Sequence, residues 1–136
     1  MLMLLLALQC VVASAGRVRT DSVKSQVLGA WVKYNVYLPD GFGKAECMYP
    51  VVYLLHGLSD DYTAWLDKGR MNLVADELIA SGEADEMVIV MPNAGSSDVH
   101  NTPCGYFNVE GWNYEDFFFN EFMPQVEEKY RIVSEK

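Results

Sequence analysis

The sequence predicts an α/β fold: a three-layer sandwich in which an antiparallel edge pair is followed by parallel strands and crossover helices. Two observations carry most of this. Val51-Val52-Tyr53-Leu54-Leu55 and Met87-Val88-Ile89-Val90-Met91 are short runs apolar at every position, as in strands buried on both faces of a parallel sheet. Between them Met71, Val74, Ala75, Leu78 and Ile79 fall at i, i+3, i+4, i+7 and i+8, the stripe of an amphipathic helix packed on a core. A third lies upstream. Val32, Tyr34, Val36 and Leu38 alternate with Lys33, Asn35 and Tyr37, which reads as a strand with one wet face. Strand, helix, strand, helix after an antiparallel pair gives helices on both sides of one sheet.

Taken in order, the chain opens with Met1 to Val12, short and apolar, followed by Ala13-Ser14-Ala15. This reads as a secretory signal peptide over residues 1–15, too short to anchor in a bilayer, although no Lys or Arg precedes the apolar run. Cys10 raises a lipoprotein alternative, for which Gln9 is a bulky neighbour. No other stretch has the length and apolarity of a membrane span. Val18, Val23 and Val27 are expected to point inward on a first strand, and Pro39-Asp40-Gly41 supplies a turn. After Leu55 come His56-Gly57 and the polar residues Ser59 to Tyr62, at the strand end where open α/β sheets build sites. Gly82 fits a helix stop.

From Asn93 to Gly111 no periodicity is visible. A loop of that length, carrying Tyr106 and Phe107, reads as functional. Asn113 with Asp116 resembles a capping box. Phe118, Phe122, Val126 and Tyr130 then lie at helical spacing, with Pro124 expected to kink or restart the helix. A further strand is due at Arg131 to Lys136.

The 136 residues suit one domain, with a composition (51% hydrophobic, 21% charged) that fits a globular protein. The formal net charge is −9, and no Lys or Arg occurs from Met71 to Glu128. Such a chain repels phosphate backbones, which argues against a nucleic-acid partner. No Cys/His cluster has metal-ligand spacing, and neither metal nor cofactor is implied. Cys47 and Cys104 remain after the leader, and their spacing leaves pairing open.

Several stretches together resemble one family. Leu28-Gly29, Tyr34-Asn35-Val36-Tyr37-Leu38-Pro39, Tyr49 through Gly57, Trp65, Val88-Ile89-Val90-Met91-Pro92 and Tyr114-Glu115-Asp116-Phe117 through Arg131 look like the esterase D and feruloyl-esterase family of α/β-hydrolases. The resemblance spans roughly Val23 to Lys136. It implies a serine-nucleophile carboxylic-ester hydrolase acting on acyl or feruloyl esters of polysaccharide, secreted or periplasmic, with an ester substrate, carbohydrate-linked, as its partner. In that family one oxyanion donor is a main-chain amide of the loop after the third strand. By resemblance this is the N–H of Leu58 on the Gly57 loop, with His56 holding the loop and Ser59 and Trp65 on the substrate side.

The sequence departs from the family pattern in one respect. It contains no G-x-S-x-G: Ser59, Ser96, Ser97 and Ser134 all lack that context. The expectation is that residues 16–136 are the amino-terminal portion of a truncated esterase domain, inactive alone. The alternative is a non-catalytic secreted binding or structural remnant of the same fold.

Overall fold

Val23 pairs with Val32 and Arg17 with Leu38, so β1 (Arg17–Lys24) and β2 (Trp31–Leu38) form the antiparallel edge pair the alternation predicts. Their turn closes with Gly29 in the left-handed region at φ +64°, a conformation that suits glycine. This computed structural model describes residues 15–44, 47–95 and 104–132. Residues 1–14 of the proposed leader, and Ser96, Ser97, His100 and Ser134, lie outside the described residues.

The rest of the sheet is built by β3 (Val51–Tyr53) and β4 (Val88–Pro92), giving the order β1-β2-β4-β3. β4 is antiparallel to β2, with Val36 opposite Val90, and parallel to β3, with Val52 opposite Ile89. Every residue of β4 is buried, as its unbroken apolar run requires. β3 is not, which corrects the same reading for its run: Val52 is 41% exposed. The reason is position. β3 is an edge strand of the described sheet, and on its outer side only an isolated parallel bridge, Tyr49 to Ile132, begins a further pairing.

Helices cover both faces. On one, α1 (Ala64–Asp67) and α2 (Met71–Ser81) flank the sheet, with Met71 and Ala75 against Tyr37, Ile89 and Met91. Asp76 on α2 accepts hydrogen bonds from the Tyr37 hydroxyl at 2.8 Å and the Gly16 N–H at 2.7 Å. Gly82, at φ +76°, ends α2 where the sequence places its stop. The core stripe is only half realised, because Val74 is 50% and Leu78 37% exposed. No described element lies beyond β3 to cover them.

β2 also departs from expectation. Asn35 and Tyr37, read as wet, are buried, and of the polar set only Lys33 stays exposed. Conversely Val27, expected inward, is exposed in the turn.

The opposite face is aromatic. α3 (Tyr114–Phe117), a π-helical turn (Phe118–Phe122) and α4 (Met123–Tyr130) pack Tyr114, Phe117, Phe122, Val126 and Tyr130 on Val36, Val88 and Val90. Phe117 and Phe122 are five positions apart, yet both are fully buried, because the wide turn puts i and i+5 on one side. Pro124 falls in the first turn of α4, the restart it was expected to cause. The capping box does not form: the Asn113 side chain makes no cap bond, and Asn108 Oδ1 accepts from the Asp116 N–H at 3.2 Å. Asn108 belongs to a small hairpin, β5 (Asn108–Val109) with β6 (Trp112–Asn113), whose first strand lies inside the stretch read as loop. The two sheet faces and their helices make the predicted three layers.

Candidate active site

The ladder between β3 and β4 makes its last bond from the Leu54 N–H to Val90 C=O at 2.8 Å. Beyond it the chain leaves the sheet through His56, Gly57 and Leu58, at the carboxyl end of the strand. His56 pins this exit. Its Nε2 accepts from the Ala94 N–H at 3.0 Å, just past β4. A main-chain N–H can only donate, so the ring proton sits on Nδ1, 2.9 Å from Gly57 C=O, and is donated there. The His56 carbonyl in turn accepts the Tyr106 hydroxyl at 2.8 Å, with the two rings 5.5 Å apart. Burial pushes the Tyr106 phenol up to about 12, so it remains a protonated donor at neutral pH. Both ring nitrogens of His56 thus hold main chain, the holding role the resemblance implies.

The following loop turns tightly. The Asp60 N–H donates to Gly57 C=O at 3.2 Å, and the Thr63 N–H to Asp61 Oδ1 at 2.8 Å. Ser59 sits at φ +64°, an uncommon conformation for a residue with a Cβ. Lys68 pairs with the Asp60 carboxylate. Gly57 itself is not sterically forced, since a Cβ there would meet Asp60 Oδ2 at an ordinary 3.6 Å. At the tip Leu58 is 83% exposed, and no described residue accepts from its N–H.

A cavity of about 260 Å³ opens between this loop and residues 104–107. Gly57, Leu58 and Ser59 line one side; Cys104, Tyr106 and Phe107 line the other. Beneath, Tyr106 meets Tyr114 edge-on at 5.7 Å and Trp112 stacks on Tyr114 at 5.8 Å. The structure therefore brings Gly57, Leu58 and Ser59 together on one wall. Trp65 is not on it: its indole N–H donates to Leu55 C=O at 2.8 Å, bracing the base of the loop. Cys47 and Cys104 are free thiols. Among the described residues no His/Cys/Asp/Glu cluster could hold a metal, and no helix is long and apolar enough to cross a membrane. A larger groove, about 720 Å³, lies by Cys47, Met48 and Ile132 on the open flank of β3, away from this loop.

Three contributors escaped the sequence reading: the Ala94 N–H, the Tyr106 hydroxyl and the place of Cys104 on the cavity wall. The aromatics within an aperiodic stretch were the one signal for Tyr106. Nothing marked the others, which meet the loop only through tertiary folding.

A mixed sheet with helices on both faces, and an anchored loop after its third strand, defines the α/β-hydrolase class. Solved structures agree. The chain is similar to a ferulic acid esterase, with TM-score 0.83 and 46% identity, over 88% of this chain and 45% of that one. It also resembles a CE1 ferulic acid esterase from Anaeromyces mucronatus solved in complex with ferulic acid, with TM-score 0.71 and 29% identity, over 88% and 45% of the two chains. Residues 25–136 match the family described as "Putative esterase", and the chain belongs to it. Among curated proteins it is 30% identical over 125 residues to an endo-1,4-beta-xylanase/feruloyl esterase of Xylanibacter ruminicola, which is 89% of this chain and 17% of that protein. The chain thus spans less than half the length of these relatives.

Proposed function

We propose that this chain supplies the oxyanion-loop side of a serine-nucleophile carboxylic-ester hydrolase of the feruloyl-esterase type. One observation carries the reading: the Leu58 N–H, at the tip of the loop after β3, has no acceptor among the described residues and adjoins a cavity. When a serine adds to an ester carbonyl, negative charge gathers on the carbonyl oxygen. An amide held there in advance stabilises that charge without reorganising, and losing such a donor typically costs about a hundredfold or more in rate. The donor is main chain, so the Leu58 side chain is free to face the acyl group, with Phe107 across the cavity. In this reading Gly57 shapes the loop and Ser59 stands on the substrate side, while Trp65, expected there too, braces the base of the loop instead. The ferulic acid esterases among the relatives support a feruloyl or other acyl ester of polysaccharide as substrate, and the apolar leader supports export to where such polymers lie.

The nucleophile is the part this sequence does not show, since it holds no G-x-S-x-G. The 136-residue chain alone is accordingly proposed to be inactive, as the amino-terminal portion of the esterase domain. The same absence favours a second reading, a non-catalytic remnant. Coding sequence beyond codon 136 distinguishes them, because an in-frame or frameshifted G-x-S-x-G supports the enzyme.

The test compares two variants in the full-length polypeptide. Leu58→Pro removes the amide and is expected to lower turnover number about a hundredfold or more on a feruloyl ester, with substrate affinity little changed. Leu58→Ala keeps the amide and is expected to stay within about threefold, a truncation that removes no transition-state donor. Equal effects of the two would refute the oxyanion assignment.

A further inference from the structure

We infer that Asn35, a buried residue of β2, is a positioning residue for the Gly57–Leu58 loop; the inference rests on the oxyanion reading of that loop. Asn35 is 3% exposed, between Tyr34 and Val36 in an apolar strand. Burying a primary amide is unfavourable unless both ends are bonded. Here both are. The Thr20 hydroxyl, on the neighbouring strand, donates to Asn35 Oδ1 at 2.6 Å. That bond fixes the amide so that Nδ2 faces away from β1 and donates to Tyr62 C=O at 3.1 Å. An apolar side chain would suit the strand equally well, so the tie to Tyr62 is what an asparagine adds.

The other bonds of the loop are local or end near it: Asp60 to Gly57, Thr63 to Asp61, Lys68 to Asp60. Among the described residues, two bonds hold its far side to the body: Asn35 to Tyr62 and Trp65 Nε1 to Leu55 C=O. Only the first reaches across to another strand. Ser59 meanwhile holds a positive φ, a conformation that persists only where the surroundings enforce it. A loop freed at Tyr62 would relax toward ordinary geometry at Ser59 and carry the Leu58 amide with it. An oxyanion donor displaced by about an ångström loses most of its effect on the transition state while leaving ground-state binding almost intact.

Two variants test this, each read in two ways. Asn35→Asp is isosteric: it keeps the acceptor for Thr20 and sets a carboxylate oxygen against Tyr62 C=O in place of the donor. Asn35→Leu removes both bonds but suits the apolar surroundings, so it guards against simple misfolding. Hydrogen exchange on the full-length polypeptide should rise for amides of residues 57–66 in both variants, with β2 and β4 unchanged. In the full-length polypeptide kcat on a feruloyl ester should fall about tenfold or more while KM stays within about twofold. Unchanged loop exchange in both variants, or exchange that rises equally through the sheet, would overturn the inference. Faster loop exchange with kcat untouched would support the tie and instead refute the oxyanion reading of Leu58.

Discussion

The π-helical turn aims one carboxylate at the β1–β2 connection, and its removal should be measurable. Glu121 Oε2 accepts the Ser25 hydroxyl at 2.6 Å, and Oε1 accepts the Gln26 and Val27 N–H groups at 3.0 and 3.3 Å. Ser25 is buried, and its Oγ also accepts the Leu28 N–H at 2.9 Å, so the carboxylate organises the turn both directly and through that hydroxyl. A hydrogen bond to a charged acceptor contributes about 1.5–3 kcal/mol when shielded and less when exposed. Only the Ser25 bond is shielded here; the other two are exposed and exchange with water. The sum expected for Glu121→Ala is therefore about 2–3 kcal/mol, below three full bonds. Glu121→Gln should cost about 1–2 kcal/mol, because its carbonyl serves one donor while its NH₂ confronts another. Urea unfolding, at matched concentration and followed by far-UV circular dichroism, gives both values. An Ala variant within about 0.5 kcal/mol of the parent would refute the argument, showing that water replaces the clamp.

Two further outcomes are expected. Asp21, on β1, accepts from Ser22 N–H and Tyr130 and pairs with Lys129; partial burial opposes its charge, but these partners hold the carboxyl below its usual 3.8. A depressed folded-state pKa stabilises above the unfolded value and is lost as pH falls through the folded one. Asp21→Asn should therefore cost about 1 kcal/mol or less at pH 7, and the difference from the parent should shrink below pH 4 in thermal melts; a gap that widens with acid would contradict the sign. Separately, the outer edge of β3 invites strand pairing, so the 136-residue chain should associate and Val52→Lys should reduce association in size-exclusion chromatography with light scattering. A monodisperse parent with a sharp cooperative transition would show that this edge is already protected.

Local signals were the legible ones. The unbroken run of β4, Gly82 at a helix end and Pro124 at a helix start all act within a few residues, and each did in the fold what its chemistry implies; the alternation of β2 gave a strand but not its wet face. The misreadings involve partners far away in sequence. Asn35 and Tyr37 look wet because alternation registers polar atoms, whereas the second face of β2 is covered by α2 and the loop before it. Val52 and Leu78 look buried because apolarity says nothing of where a sheet stops. The β5–β6 hairpin has strands of two residues each, too short to show any period. In the site, the His-Gly exit from β3 was legible from strand end and motif. Its supports were not, since Ala94 and Tyr106 bond to a histidine 38 and 50 residues away.

The strand order explains why these supports are where they are. β4 lies between β2 and β3, so a loop leaving β3 and returning toward α1 passes the carboxyl end of β4 before it can meet β2. β4 ends there, with Pro92 opposite Tyr34, and its last amides point into open space unless something takes them. His56 takes the Ala94 N–H on the near side, and Asn35, opposite Met91 near the same end, takes the Tyr62 carbonyl on the far side. The loop is thus fastened on both flanks of the most buried strand in the sheet. Had it been fastened only to β3, the loop would hang from an edge strand with Val52 half open to solvent. Bonding across β4 ties the loop to the most buried strand instead, which is what the proposed oxyanion role of the Leu58 amide requires.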